Sequence, residues 1–168
     1  FNDQDYLRAL AQKNKAEDIT RVLYPNDSTW DGKRLRIKQQ YVLSSASLQD
    51  MLRTYKAAHG SNLSRFGEFY AVQLNDTHPA MSIPELIRLL MAEGMDFDQA
   101  YSVAQRSFSY TNHTVMAEAL EKWPLDLLGS VVPEIVNIIC RIDQKLKSEH
   151  PNLFIVRDNT AHMANLSI

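Results

Sequence analysis

The chain has 168 residues, of which 45% are hydrophobic, and this is enough for one domain with an apolar core. Its 18 basic and 20 acidic residues give a formal net charge of -2, which argues against a surface built to bind nucleic acid or polyphosphate. The single cysteine, Cys140, cannot form an internal disulfide and favours a buried, reduced thiol.

The sequence shows no secretory signal and no apolar run long enough to cross a bilayer. Together with the reduced cysteine, this predicts a cytoplasmic protein without a membrane partner. The sequence begins at Phe1 and not at a methionine, so we expect a piece of a longer protein.

Helical periodicity dominates the first part of the chain. Apolar residues in 6–23 predict two short helices, or one interrupted helix, before a polar loop from Asn26 to Gly32. The next apolar positions predict the longest helix, Leu35 to Tyr55, with Gly60 just beyond it as a stop. The polar stretch from Gly60 to Phe69 then indicates a surface connection.

A short apolar run then ends abruptly in polar groups, at Asn75, Asp76, Thr77 and His78. This pattern predicts a strand followed by a polar loop. Ser82 to Glu85 has the spacing of a capping box and predicts the start of a helix that runs to Glu93.

A second junction of the same kind follows a helix predicted over Asp96–Ser107, where Phe108 to Thr114 passes from aromatic to polar residues. If the two strands are parallel neighbours, their polar ends emerge on one edge of the sheet. Asp76, His78 and His113 would then border the crevice where open α/β folds bind ligands.

The last third predicts two more helices and a hairpin. Trp123 and Pro124 are expected to open a short helix, and Pro133 a longer one. Residues 153–156 and 162–168 are expected to pair around a turn at Asp158 and Asn159. The predicted fold class is therefore α/β, helix-rich, with a few parallel strands and a C-terminal hairpin.

Residue chemistry alone leaves three interpretations open. Asp76 and His78 could simply cap a helix or satisfy loop amides, and the structural role is the favoured one on these residues alone. With His113 they could instead ligate zinc or manganese in a metal-dependent hydrolase, although the spacing lacks a known helical ligand motif. The helical content is also compatible with a non-catalytic interaction module.

Several long segments carry a family resemblance. QLNDTHPA, SIPELIRLL and YTNHTVMAEALEKWPLDLL resemble the N-terminal half of the α-glucan phosphorylases, which include the glycogen, starch and maltodextrin enzymes. ITRVLYPND, GKRLRIKQQYVLSSASLQD and MANLSI fall in the same order at similar spacing. Several matches in fixed order are more specific than any single motif.

The resemblance implies a fold and an activity. Residues 1–168 would be a single fragment of the phosphorylase N-terminal domain, of the Rossmann-like, glycosyltransferase-B type, with the cofactor-binding C-terminal domain absent. The parent enzyme would use inorganic phosphate to release glucose 1-phosphate from α-1,4-glucan. Its pyridoxal 5'-phosphate would bind outside this fragment, which alone would be inactive. A homodimer contact is implied near residues 6–23.

The resemblance also implies roles for particular residues. Asp76 and His78 would bind glucosyl units on the acceptor side, and His113 the glucosyl unit being transferred. Glu118 would lie near more distant sugar subsites. Asp27 and Ser28 would belong to a loop that gates the crevice. Metal ligands are not expected.

Overall fold

The computed structural model describes residues 3–168, except for the side chains of Asp3, Gln4 and Glu118. The α-helices in this range are α1 (Asp3–Arg21), α2 (Trp30–His59), α3 (Phe66–Phe69), α4 (Ser82–Ala92), α5 (Phe97–Ser107), α6 (Leu125–Gly129) and α7 (Pro133–Glu149). The strands are β1 (Val72–Asn75), β2 (Phe108–Thr111), β3 (Lys122–Pro124), β4 (Val156–Arg157) and β5 (Thr160–His162).

The first helix is continuous, so the predicted interruption is wrong. α1 contains neither proline nor glycine, and it ends at Arg21, before the expected stop at Tyr24. The Gln39 side chain of α2 caps this end of the helix. It donates hydrogen bonds to the Ile19 and Val22 carbonyls, at 2.8 and 2.6 Å. Tyr24 then takes a left-handed conformation (φ 57°), which turns the chain away from the helix.

The longest helix was predicted at the right place, and it extends further at both ends. α2 begins at Trp30 because the Thr29 side chain accepts a hydrogen bond from the Gly32 amide at 3.1 Å. The predicted loop Asn26–Gly32 is therefore the loop 22–29. Gly60 ends the helix with φ 80°, as expected for a glycine stop.

The segment from Gly60 to Phe69 is more than the predicted surface connection. It contains a 3₁₀ turn, Leu63–Arg65, and the short helix α3. Leu63 and Phe66 are fully buried. These two apolar residues anchor the segment in the core, and the polar composition around them concealed that role.

The two predicted strands of the first sheet are parallel neighbours, as expected. β1 pairs with β2 in a register that joins Val72 to Phe108 and Asn75 to Thr111. The crossover between them is made by α4 and α5. The two strands therefore end at the same edge of the sheet.

One of the two predicted capping boxes does not form. Ser82 lies inside the first turn of α4, Met81 takes the cap position without a side-chain bond, and Glu85 points into the core. Its carboxylate instead binds Ser45 at 2.6 Å and Arg88 at 2.7 and 2.8 Å. A tertiary hydrogen bond to α2 and an ion pair within α4 have thus replaced the predicted cap. The second box, at the start of α5, forms as predicted.

The C-terminal part holds an antiparallel sheet in the order β3-β5-β4. Trp123 lies in β3 opposite Ala161 and does not open a helix, but the predicted short helix does begin directly after Pro124, as α6. Asp158 and Asn159 form the predicted hairpin turn, with φ 49° and 55°. The predicted arms, 153–156 and 162–168, are wrong: the strands Val156–Arg157 and Thr160–His162 lie directly beside the turn, and residues Met163–Ser167 form a 3₁₀ turn.

The core lies around α4, which packs against α2, α5 and α7. These helices supply many fully buried apolar side chains, among them Ile37, Leu48, Leu86, Ile87, Leu90, Ala100, Ile135 and Ile139. The described chain is thus helix-rich with short parallel and antiparallel strands, in agreement with the predicted α/β class. None of the helices described between residues 3 and 168 has the length and apolar character needed to span a membrane.

Candidate functional site: the shared end of two parallel strands

The ends of β1 and β2 are joined by one hydrogen bond beyond the paired residues. The Asp76 amide donates to the Thr111 carbonyl at 2.8 Å. The loop after β1 therefore starts directly beside the end of β2. This places Asp76 at the edge where ligands bind in open parallel sheets.

The chain bends at Asp76. Its backbone is left-handed (φ 66°), a conformation that aspartate and asparagine adopt more easily than other non-glycine residues. Its Oδ1 accepts a hydrogen bond from the Thr77 amide at 2.9 Å, and its side chain is partly exposed. The carboxylate thus has a defined orientation and remains accessible from solvent.

A hydrogen bond between Thr77 and Glu121 holds the loop after β1 on its buried side. The Thr77 side chain is buried, and its hydroxyl donates to Glu121 Oε2 at 3.1 Å. Arg36 donates to Glu121 Oε1 from Nε and Nη2 at 2.9 and 2.8 Å, and Gln40 donates to the same oxygen at 3.0 Å. Glu121 is therefore a shared acceptor for α2 and the β1 loop, and only 11% of its side chain is exposed.

His78 is exposed and borders a cavity of about 220 Å³ between the loop 22–29, α2 and the β1 loop. The lining combines apolar surface with several polar groups, from Leu23, Tyr24, Arg36, Gln39, Gln40, Leu43, Ser44, His78 and Pro79. An imidazole beside apolar surface can donate to or accept from a hydroxyl group while the apolar wall contacts a ring face.

His113 lies two residues beyond β2 and is also exposed. The preceding Asn112 is oriented by the Tyr110 hydroxyl, which donates to its Oδ1 at 3.4 Å, and by its own bond to the Thr114 carbonyl. Burial raises the pKa of Tyr110, and the negative charges of Asp76 and Glu121 raise it further. Tyr110 consequently stays a neutral hydrogen-bond donor beside the two carboxylates at neutral pH.

The residues predicted for the gating loop are on the surface. Asp27 and Ser28 are exposed, and the Ser28 amide donates to the Asn26 side chain at 3.0 Å. An Asp27 oxygen lies 3.9 Å from Arg36 Nε, so the loop approaches the residue that binds Glu121. The predicted subsite residue Glu118 belongs to a 3₁₀ turn, Ala117–Ala119, and its side chain lies outside the described part of the chain.

The residues that the alternative hydrolase interpretation would use as metal ligands do not form a metal-binding group. Over the part of the chain that the structure describes, no three His, Cys, Asp or Glu side chains lie close enough together to hold a metal ion. Asp76, His78 and His113 thus lack the arrangement that the hydrolase interpretation requires.

The residues that support the candidate site were not predicted from the sequence. Thr77 belonged to the polar run but was given no role, and Glu121 was not singled out. Arg36 belongs to a basic cluster with Lys33, Arg34 and Lys38 that by composition alone could hold anions. No spacing rule could have paired Arg36 with Glu121, because 85 residues separate them.

The whole chain matches one family. The sequence model of the carbohydrate phosphorylases matches residues 1–168. With strand ends, loop and helices arranged as described, the chain belongs to the carbohydrate phosphorylase family.

Individual relatives agree with that assignment. The chain is 49% identical over 146 residues to glycogen phosphorylase 2 of Dictyostelium discoideum, covering 86% of the chain and 15% of that protein. It is 50% identical over 149 residues to the chloroplastic/amyloplastic α-1,4 glucan phosphorylase L-2 isozyme of Solanum tuberosum, covering 87% and 15%. It is 46% identical over 153 residues to the human liver form of glycogen phosphorylase, covering 86% and 18%. The chain thus spans less than a fifth of these relatives.

Proposed function

We propose that this chain is part of an enzyme that phosphorolyses α-1,4-glucan, with inorganic phosphate, to glucose 1-phosphate. In this proposal the chain contributes contacts to the glucan, and the fragment alone is inactive. The observation that carries the proposal is the match of the full chain to the carbohydrate phosphorylases, with relatives named as glycogen and α-1,4 glucan phosphorylases.

The chemistry of the strand ends supports a neutral, hydroxyl-rich ligand. Asp76 offers an oriented acceptor, and the imidazoles of His78 and His113 can each donate or accept. Such groups bind sugar hydroxyls without needing a charged partner. A site built for hydroxyl groups also discriminates well, because a ligand that lacks them leaves the polar groups unpaired.

In this proposal each residue keeps the role that the resemblance implies. Asp76 and His78 bind the acceptor-side units, His113 binds the transferred unit, and Glu118 contributes to a more distant subsite. Asp27 and Ser28 gate the crevice. The approach of Asp27 to Arg36 supports the gating role, because it connects the loop 22–29 to the residues below the site.

The proposed fold assignment is a fragment of a Rossmann-like domain of the glycosyltransferase-B type. The parallel β1–β2 pair with a helical crossover supports it. Residues 1–168 would form one piece of the N-terminal domain. The cofactor-binding domain would be supplied by the longer parent, since the relatives are more than five times the length of the chain that matches them.

Three of the lysines described in this chain do not fit pyridoxal 5'-phosphate, which the family implies. That cofactor needs a lysine amine free to form an imine and a basic cradle for its phosphate. Lys56, Lys145 and Lys147 instead pair with Glu93, Asp98 and Asp143 on helix surfaces. As the resemblance implies, we assign the cofactor to the rest of the parent enzyme and derive no step through it.

A homodimer that uses α1 is the proposed assembly. Tyr6 and Leu7 are 59% and 63% exposed, although both are large apolar residues. They share one side of the helix with Leu10, and α1 packs against the rest of the chain mainly along α2. An exposed apolar stripe on a long helix favours a partner surface.

We also propose a cytoplasmic location for the parent enzyme, although the name of the potato relative places that protein in plastids.

The direct test is a phosphorolysis assay of the full-length protein that contains this chain. With pyridoxal phosphate, inorganic phosphate and maltoheptaose, we expect glucose 1-phosphate as the product. The control omits phosphate and should give no glucose 1-phosphate and no free glucose. Release of free glucose by hydrolysis, or no product from a folded, cofactor-loaded enzyme, would contradict the proposal.

A further inference from the structure

Beneath the strand ends lies a buried carboxylate that the proposed sugar contacts do not use. Glu121 receives hydrogen bonds from three side chains that belong to two distant parts of the chain. Its own segment, between the turn Ala117–Ala119 and β3, is a third part. We propose that Glu121, acting through Thr77, is a positioning residue for glucan binding. This inference rests on the proposed function.

The position of Thr77 carries the argument. It lies between Asp76 and His78, the two residues assigned to the glucan, and its own side chain points away from solvent to Glu121. Its hydroxyl bond therefore fixes the backbone that carries both neighbours. Positioned groups bind better because less conformational freedom is lost when the ligand arrives.

Arg36 explains why Glu121 is a rigid anchor. The guanidinium binds the carboxylate through two nitrogens, and both side chains are largely buried, with 16% and 11% exposed. Charge-assisted bonds of this kind are stronger and better directed than neutral ones. Arg36 also lies 3.9 Å from Asp27 and 6.0 Å from the centre of the Tyr24 ring. The Arg36–Glu121 pair therefore also lies close to the loop 22–29.

The chain offers a matched control in a second buried carboxylate, Glu85. The Glu85 carboxylate also accepts hydrogen bonds from an arginine, Arg88, and from a hydroxyl group, that of Ser45. Glu85 is fully buried. That cluster joins α2 to α4 and does not include the residues of the strand ends. Ser45→Ala therefore removes the same type of bond without touching the proposed site.

The experiment measures steady-state kinetics of full-length enzyme with maltoheptaose and with phosphate as the varied substrates. For Thr77→Val we expect the KM for maltoheptaose to rise about tenfold, from the loss of a hydrogen bond to a charged group. The KM for phosphate and the cofactor absorbance should stay at wild-type values. Thr77→Ser, which keeps the hydroxyl, should restore the KM, and Ser45→Ala should not change it.

Glu121→Gln gives a second route, because it keeps the side-chain shape and weakens the same bond. It should shift the KM for maltoheptaose in the same direction. Amide hydrogen exchange at residues 76–78 should become faster in both variants and stay unchanged in Ser45→Ala.

Wild-type KM values for maltoheptaose in Thr77→Val and Glu121→Gln would overturn the inference, and so would an equal effect of Ser45→Ala. If Asp76→Ala still raised the KM in that case, the proposed function would stand and only the positioning role would fail. A wild-type enzyme that forms no glucose 1-phosphate would overturn both.

Discussion

Single carboxylates determine how distant segments meet in this chain. Glu121 joins α2 to the β1 loop, Glu85 joins α2 to α4, and Asp143 joins α7 to the C-terminal hairpin. Each is buried or nearly so, and each is satisfied by several donors. Buried charges are stable in proteins only when they are paired in this way.

Asp143 allows a prediction about pH. Its Oδ1 accepts from the Ile155 and Val156 amides at 2.7 and 2.9 Å, and Lys147 lies 2.6 Å from Oδ2. Burial alone would raise the pKa of Asp143, but Lys147 and the two amides outweigh it and hold the pKa below its ordinary value. Because the folded-state pKa is the lower one, the stabilisation is complete above the unfolded pKa and is lost as pH falls through the folded pKa.

We therefore expect the start of the hairpin to loosen in acid. Hydrogen-exchange protection of the Ile155 and Val156 amides, relative to amides in the middle of α7, should fall as pH is lowered below about 4. In Asp143→Asn the relative protection should be lower at neutral pH and nearly independent of pH. Acid-sensitive protection that persists in Asp143→Asn would show that another group is responsible.

At the scale of elements, the loop 22–29 is confined by the start of α2. A Cβ atom on Gly32 would overlap the carbonyl oxygen of Asn26 and would lie 3.2 Å from the Thr29 hydroxyl. Gly32 is therefore required by the close approach of the loop to the first turn of the helix.

Gly32→Ala should displace the loop that carries Asp27 and Ser28. We expect faster proteolysis within residues 22–29 of the full-length enzyme and, if the loop gates the crevice, a change in kcat for maltoheptaose of at least about threefold. Gly129→Ala is the control, because its nearest neighbour would be 3.8 Å away, an ordinary contact. Identical proteolysis of Gly32→Ala and wild type would show that the loop does not depend on this contact.

The elements differ in how far the sequence could predict them. The β1 and β2 strands, the α5 cap and the Gly60 stop were predictable because their signals are local. The cap at Ser82 was wrong because Glu85 pairs with α2, 40 residues away. The strand at Trp123 was missed because its partner residue, Ala161, follows 38 residues later. Long-range pairing, which periodicity cannot reveal, accounts for both errors.

The candidate site, like the elements, was predictable only where its sequence signals are local. Asp76, His78 and His113 follow strand ends, and this pattern is visible in the sequence. The support below them is not visible, since Thr77, Glu121 and Arg36 come from three separate segments. Their contribution follows from geometry alone.

At the scale of the whole molecule, α1 is the element proposed to form the homodimer contact. It is one long helix whose side chains are mostly exposed. Leu7→Asp should place a charge in the proposed dimer contact and shift full-length enzyme to monomers at micromolar concentration. Gln12→Asp, on another side of the helix, should remain dimeric. Analytical ultracentrifugation distinguishes the two outcomes, and a dimeric Leu7→Asp variant would remove α1 from the contact.

Asp76 lies where the β1–β2 sheet, the loop after β1 and the proposed glucan meet. The decisive measurement is the dependence of phosphorolysis rate on maltoheptaose concentration for full-length Asp76→Asn and Asp76→Ala enzymes at saturating phosphate. Asparagine tolerates the left-handed backbone, so Asp76→Asn isolates the loss of the charged acceptor.

We predict that kcat/KM for maltoheptaose falls about tenfold or more in Asp76→Asn and further in Asp76→Ala, while the cofactor absorbance is unchanged. Wild-type kinetics in both folded variants would contradict the claim that this strand end binds the glucan.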